Sequence, residues 1–129
     1  MEILSALERL FDRFGSKHKE GDVIFSEGAG GEEMYFILDG EVEVLKKVAG
    51  ADKSLTKISS GAFFGEMSLL NGEQRSATIR VTRAGTRVIR ISPGNFDTII
   101  KLQPQIAISM LKVICERLRK TGEMLKEKK

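Results

Sequence analysis

Residues 63–79 read FFGEMSLLNGEQRSATI. Two phenylalanines run through Gly65 into an acid, Glu66, a stretch of turn formers follows, and Arg75 leads back into small and β-branched residues. Gly65 lets the backbone pass closely where a side chain would obstruct a ligand. GEMSLLN, residues 65–71, reads as one or two turns of helix, whose first N–H groups lack internal partners and so suit an anion. Glu66 in that first turn complements the helix dipole, and its two oxygens accept hydrogen bonds from hydroxyls. Arg75 offers the forked donors that match phosphate geometry, with the Ser76 hydroxyl beside it. The residues alone leave two readings open: a solvated connection with incidental charges, or a pocket for a small anion that also carries a sugar diol.

Upstream of this stretch the pattern is that of strands. VIF (23–25), MYFIL (34–38) and EVEVLKKV (41–48) are rich in β-formers, and the turn cluster EGAGGEE (27–33) separates the first two. Asp39-Gly40 lies between two such runs, which is the strongest short-range hairpin signal in a sequence. AGAD (49–52) marks a second turn before KSLTKI (53–58). Downstream, SATIRV begins a strand that TRVIRIS is expected to pair with across Arg83–Gly85. Short strands with glycine-containing turns indicate an antiparallel sandwich or barrel.

Helices flank the strands. SALERLFDRF puts Leu4, Leu7, Leu10, Phe11 and Phe14 on one stripe, Ser5 and Glu8 have capping-box spacing, and Gly15 ends the run. Ser92 is expected to cap a helix with Pro93 at its first position, and Phe96, Ile99, Ile100 and Leu102 give it an apolar side until Pro104 breaks it. In the last segment Ala107, Leu111, Ile114, Leu118, Thr121 and Leu125 recur at alternating intervals of four and three, a heptad seam. Its first two turns are expected to lie on the body, and pairing with a second copy is the expected use of the rest.

Composition narrows the function classes. At 129 residues the chain is one domain's worth. No apolar run approaches the ~20 residues that span a bilayer, and the N-terminus has acids where a signal peptide would be basic and apolar, so a cytoplasmic location and no membrane partner are expected. Cys115 and His18 are each the only residue of their type, which excludes an internal disulfide and a zinc cluster. Residues 1–115 carry 15 basic and 15 acidic side chains, and the net charge of +3 comes entirely from residues 116–129, six basic and three acidic. That end reads as a solvated helix terminus, and no nucleic-acid partner is expected. No nucleophile with a base and an orienting acid stands out, so no catalytic residue, no enzyme and no metal site are expected.

FFGEMSLLNGEQRSATI resembles, nearly residue for residue, the phosphate-binding cassette of the cyclic nucleotide-binding domain family. Phe64, Gly65, Glu66, Leu69, Arg75, Ser76, Ala77 and Thr78 fall in place, and GDVIFSEGAGGEEMYFILDGEVEV (21–44) is similar to the family's first strands. The resemblance implies an α+β fold: an antiparallel, jelly-roll-like β-roll over 17–92 holding the cassette 63–79. An N-terminal helix over 4–14 precedes it, a short cassette helix sits within it, and two C-terminal helices over 93–129 act as hinge and lid or dimer helices. The chain 1–129 then is one stand-alone domain.

The resemblance also implies a ligand and its readers. Arg75 would meet the cyclic phosphate of cyclic AMP, with cyclic GMP second, and Glu66 the ribose 2′-hydroxyl. Gly65 and Ser76, with the amides of Met67 and Ser68, would complete the phosphate shell, and Phe64 and Ala77 would also belong to the ligand-binding residues. Aligned without gaps to the catabolite activator type, Thr121 falls where that type sets a threonine against adenine, while Gly122 departs from its pattern. No cofactor is implied. The implied partners are the cyclic mononucleotide, a second copy through the C-terminal helix and an unidentified protein effector. The alternative is a scaffold of the same fold that binds no cyclic mononucleotide, or a cyclic dinucleotide elsewhere.

Overall fold

The computed structural model describes residues 2–127; Met1 and the last two lysines of the basic end lie outside them. Helix α1 (Glu2–Phe14) leads into β1 (Gly15–His18), β2 (Val23–Phe25), β3 (Met34–Asp39), β4 (Glu41–Val48), β5 (Ala51–Ser59) and β6 (Phe63–Phe64). Then come α2 (Glu66–Asn71), β7 (Thr78–Val81), β8 (Thr86–Ile91), α3 (Phe96–Leu102) and α4 (Gln105–Glu127). The strands form two antiparallel sheets, ordered β1-β8-β3-β6 and β2-β7-β4-β5. This is the jelly-roll-like α+β architecture expected, with the helices in the expected order.

Strand β3 explains how two sheets and a helical layer share one core. Its sequence MYFIL is apolar at every position, so both faces must be covered. Met34, Phe36 and Leu38 face a cluster with Leu7, Leu10, Ile99, Ile106 and Met110 of the helices. Tyr35 and Ile37 point the other way, into the space between the sheets, and meet Val42, Phe64, Ile79, Val81 and Val88. The helices thus cap the β1-β8-β3-β6 sheet, and the second sheet, away from them, is left to wall a pocket.

Two local expectations are corrected by this packing. Asp39-Gly40 is not a hairpin: β3 and β4 belong to different sheets, and Gly40 turns the corner between them at φ 99°. A Cβ on Gly40 would lie 2.2 Å from Thr86 Oγ1, so the close approach of β8, as well as the angle, requires glycine here. β7 and β8 do not pair either: β7 lies between β2 and β4, and β8 between β1 and β3. Val81 and Val88 meet across the inner core instead, because both strands need a covered face more than a shared edge. The two-residue hairpin sits at Ala49-Gly50, where Val48 pairs with Ala51 and both turn residues have positive φ, 53° and 83°.

The helix ends are corrected as well. α1 already runs from Glu2, since Ile3 and Leu4 also pack on the core, so Ser5 lies inside the helix. Glu8 does not close a capping box with it and pairs with Arg87 of β8 at 3.3 Å, whose guanidinium also holds Asp39 and sits over the Phe11 ring. The hydrogen bond with Asp39 raises the Arg87 pKa above its ordinary value. At α3, Pro93 takes the second position of a turn closed by the Asn95 N–H on the Ser92 carbonyl, and Ser92 in turn donates its N–H to Asn95 Oδ1. The helix starts at Phe96, with Asn95 at the N-cap position.

Along α4 the side chains that reach the core are Ile106 and Met110, not the seam positions Ala107 and Leu111. Beyond Met110 the seam positions are open: Leu111, Leu118 and Leu125 are each at least 60% exposed. Among the described residues no single helix is long and apolar enough to cross a membrane.

Candidate ligand-binding site

A cavity of about 260 Å³ opens between the β2-β7-β4-β5 sheet and the cassette. Phe64, Gly65, Glu66, Met67, Ser68, Arg75, Ser76 and Ala77 all line it, so the structure gathers these sequence-expected residues at one place. Thr121 lies apart. It borders a neighbouring cleft between α2 and α4, and its hydroxyl donates to the Arg117 carbonyl of its own helix at 3.0 Å.

Arg75 is built in from all sides. It is 4% exposed, its guanidinium lies 3.9 Å above the Phe25 ring, and Nη1 donates to the Glu33 carbonyl at 2.7 Å. Its backbone is tied to the 27–33 turn, with the Gly28 N–H donating to the Arg75 carbonyl and the Arg75 N–H to the Ala29 carbonyl. Two glycines make room for it. A Cβ on Gly65 would lie 2.9 Å from Nη1, and one on Gly31 would lie 2.7 Å from Nη2. Gly65 also sits at φ 82°, where any other residue would be strained.

Despite this packing, the Arg75 charge is incompletely satisfied. Nε is buried without a partner, and among the described residues no carboxylate pairs with the guanidinium. A buried cation left without a counter-charge is costly, so the site favours an anion. The backbone adds donors: the Glu66 and Met67 N–H groups have no acceptor among the described residues, as expected of a first helical turn. Ser68 contributes differently. Its N–H turns back to the Gly65 carbonyl, and its buried hydroxyl donates to the Glu73 carbonyl at 2.8 Å, closing the cassette loop on itself. Ser76 is exposed, and its carbonyl accepts from Lys46 Nζ at 2.8 Å.

Glu66 stands at the other end of the cassette, only 12% exposed, with Oε2 accepting from Arg117 Nη1 of α4 at 2.9 Å. The Arg117 guanidinium also sits 5.5 Å from the Phe63 ring centroid. Phe25, Val44, Ile58 and Ile79 give the cavity an apolar wall. The site therefore offers a buried cation with nearby amides, a carboxylate acceptor and an apolar wall.

A family model described as "Cyclic nucleotide-binding domain" matches residues 16–103. The chain belongs to the cyclic nucleotide-binding domain family. It is 34% identical over 103 residues to a potassium/sodium hyperpolarization-activated cyclic nucleotide-gated channel 4 of Oryctolagus cuniculus, covering 80% of this chain and 8% of the channel. It is 33% identical over 106 residues to the cAMP-dependent protein kinase regulatory subunit of Mycosarcoma maydis, covering 77% of this chain and 20% of that protein. This chain thus spans a small part of the relatives it matches. Among solved structures, the catabolite activator protein of Thermus thermophilus superposes with a TM-score of 0.72 at 26% identity, covering 96% of this chain and 55% of that one.

Several residues of the cavity were not singled out by sequence reasoning. Arg117 lies 51 residues from Glu66 and read as part of a solvated basic helix end. Phe25 read as a strand residue, and Glu33 as part of a turn cluster; its contribution is a carbonyl, which no sequence signal marks.

Proposed function

We propose that the chain is a non-catalytic sensor module that binds a cyclic mononucleotide, cyclic AMP before cyclic GMP, and signals through its C-terminal helices. The observation that carries this reading is Arg75, buried on a ring and a carbonyl with no carboxylate to neutralise it, in a cavity that also holds Glu66. A cyclic phosphate supplies the missing charge, the ribose hydroxyl finds the Glu66 carboxylate, and the purine lies on the apolar wall. Similarity to a regulatory subunit named for cAMP favours that nucleotide.

The signalling half of the reading rests on Arg117. α4 is held to the cassette by an ion pair whose cationic side chain is 54% exposed. Pairs of this kind contribute about 0.2–1 kcal/mol. A ligand that touches Glu66 needs only a small differential contact to shift the part of α4 beyond Met110, whose tie to the cassette is so weak. The hinge between Pro93 and Pro104 would pass the shift along α4, whose exposed seam would then meet a second copy of the chain or an effector. We place such a module in the cytoplasm, where an exposed thiol such as Cys115 stays reduced.

Thermal unfolding with added nucleotide tests the binding half. A ligand at ~100 times its dissociation constant stabilises by about 2.7 kcal/mol. An unmoved midpoint with both nucleotides at millimolar concentration would discard the reading in favour of a scaffold that keeps only the fold.

A further inference from the structure

A second pocket, of about 240 Å³, opens where α1 passes into β1, and Arg13, Phe14, Gly15, Ser16, Arg90 and Asn95 line it. None of these residues borders the cavity at Arg75. Pairing of Gly15 with Ile89 brings the end of α1 beside Arg90 of β8, so two cations distant in sequence meet at one small space. No carboxylate is in the lining, and the pocket falls below the ~300–1,000 Å³ of drug-sized sites, so a compact occupant fits. The C-terminus of α1 adds about half a negative charge nearby, which two guanidinium charges outweigh.

The polar groups of the lining keep donors to spare. The Arg13 guanidinium sits 4.9 Å from the Phe14 ring centroid, and among the described residues it pairs with no carboxylate. Asn95 Oδ1 accepts from the Ser92 N–H at 2.8 Å, which leaves the Asn95 amide NH2 with one long bond, 3.4 Å, to the Arg90 carbonyl. Ser16 Oγ lies 2.9 Å from His18 Nε2, and when it accepts from that ring it keeps its own proton for a ligand. Arg90 does have a partner: its Nη2 lies 3.5 Å from Glu33 Oε2, in a pair whose cationic side chain is 59% exposed and therefore weakly held. Glu33 faces both ways, since its carbonyl accepts from Arg75 and its carboxylate from the Tyr35 hydroxyl at 3.4 Å.

We infer that this pocket is a second anion site, for a compact phosphate dianion, free or as a small monoester, and that its occupation draws Arg90 away from Glu33. Arg13 and Arg90 bind the phosphate oxygens from two elements, and the Ser16 hydroxyl and the Asn95 amide complete the shell. The exchange replaces an exposed pair with a single carboxylate by contacts to a doubly charged group. Glu33, whose carbonyl holds Arg75, then loses one of its ties, and the two pockets are joined through that residue. The site itself stands apart from the nucleotide reading of the first cavity.

Inorganic phosphate and glycerol 3-phosphate, each titrated into the whole chain at constant ionic strength, test this through the amide NMR signals of Ser16 and Asn95. Saturable shifts are expected, and the tighter of the two probes tells free phosphate from a monoester. Arg13→Gln and Arg90→Gln, both at exposed positions, should each weaken binding about 3- to 10-fold. Tyr35 is the only tyrosine and there is no tryptophan, so intrinsic emission reports on the hydroxyl bonded to Glu33. That emission should change along the same binding curve, and Arg13→Gln, which leaves Glu33 alone, should move the curve without altering its starting value. Shifts that grow linearly with phosphate, or that both variants leave unchanged, would overturn the site. Saturable shifts with constant Tyr35 emission would overturn the link through Glu33. Each of these results is independent of whether a cyclic nucleotide binds at Arg75.

Discussion

The two ends of the cassette differ in how their charges are held. Arg75 is fixed by a ring, a carbonyl, two glycines and two backbone hydrogen bonds, all from the β-roll and its turns. Glu66 is held by one side chain reaching over from α4. The first end is preorganised, so little ordering remains to oppose binding of an anion there. The second joins two parts of the molecule through an exchangeable contact. Affinity should therefore reside mainly at Arg75, and the consequence of binding mainly at Glu66 and Arg117.

Replacing Arg75 with alanine should cause the largest effect. Truncating a buried charged reader costs about 2–5 kcal/mol of binding, roughly 30-fold to several thousandfold by titration with cyclic AMP. Equal losses in affinity and in unfolding free energy would instead make Arg75 a pillar of the fold. Gly65→Ala comes next. Its positive φ and the 2.9 Å approach to Nη1 should cost about 1–3 kcal/mol of stability, read by denaturant unfolding, and should weaken nucleotide binding by displacing the guanidinium. A normal affinity in a destabilised protein would show that Arg75 tolerates a shift, and the contrast between the ends would blur.

Glu66→Gln should act more mildly. The amide still accepts from a hydroxyl but without charge, so binding should fall by about 1 kcal/mol, and the tie to Arg117 should loosen. Arg117→Ala should be the smallest in stability, under about 1 kcal/mol and less in high salt. Its mark should appear elsewhere: amide exchange should quicken in α4 beyond Met110 while β3 and β8 keep their protection. Unchanged exchange in α4 would mean that the helix is held by something other than this pair.

The cassette was legible in the sequence because its contacts are close along the chain. Gly65, Glu66, Met67 and Ser68 are consecutive, and the helix they start places them without help from other elements. The positions of the turns were legible as well, but their meaning was not. Asp39-Gly40 and Ala49-Gly50 both read as turns, and only the second closes a hairpin, because local residues specify that the chain turns and not which edge it turns toward. The seam of α4 shows the same limit. Its periodicity was visible, whereas the face that touches the body, Ile106 and Met110, depends on where the helix lands against Leu7 and Ile99.

Phe25, Thr56 and Arg117 reach the cavity from three separate elements, the Glu33 carbonyl supports Arg75 from a turn, and their residue types carry no mark of it. What the sequence determined by itself is the local chemistry: an acid at a helix start, a guanidinium after a tight loop, and strands whose apolar residues demand two covered faces. The tertiary structure decided which charge is buried and which carbonyl holds it. Burial, sheet membership and register are set by the simultaneous packing of distant segments.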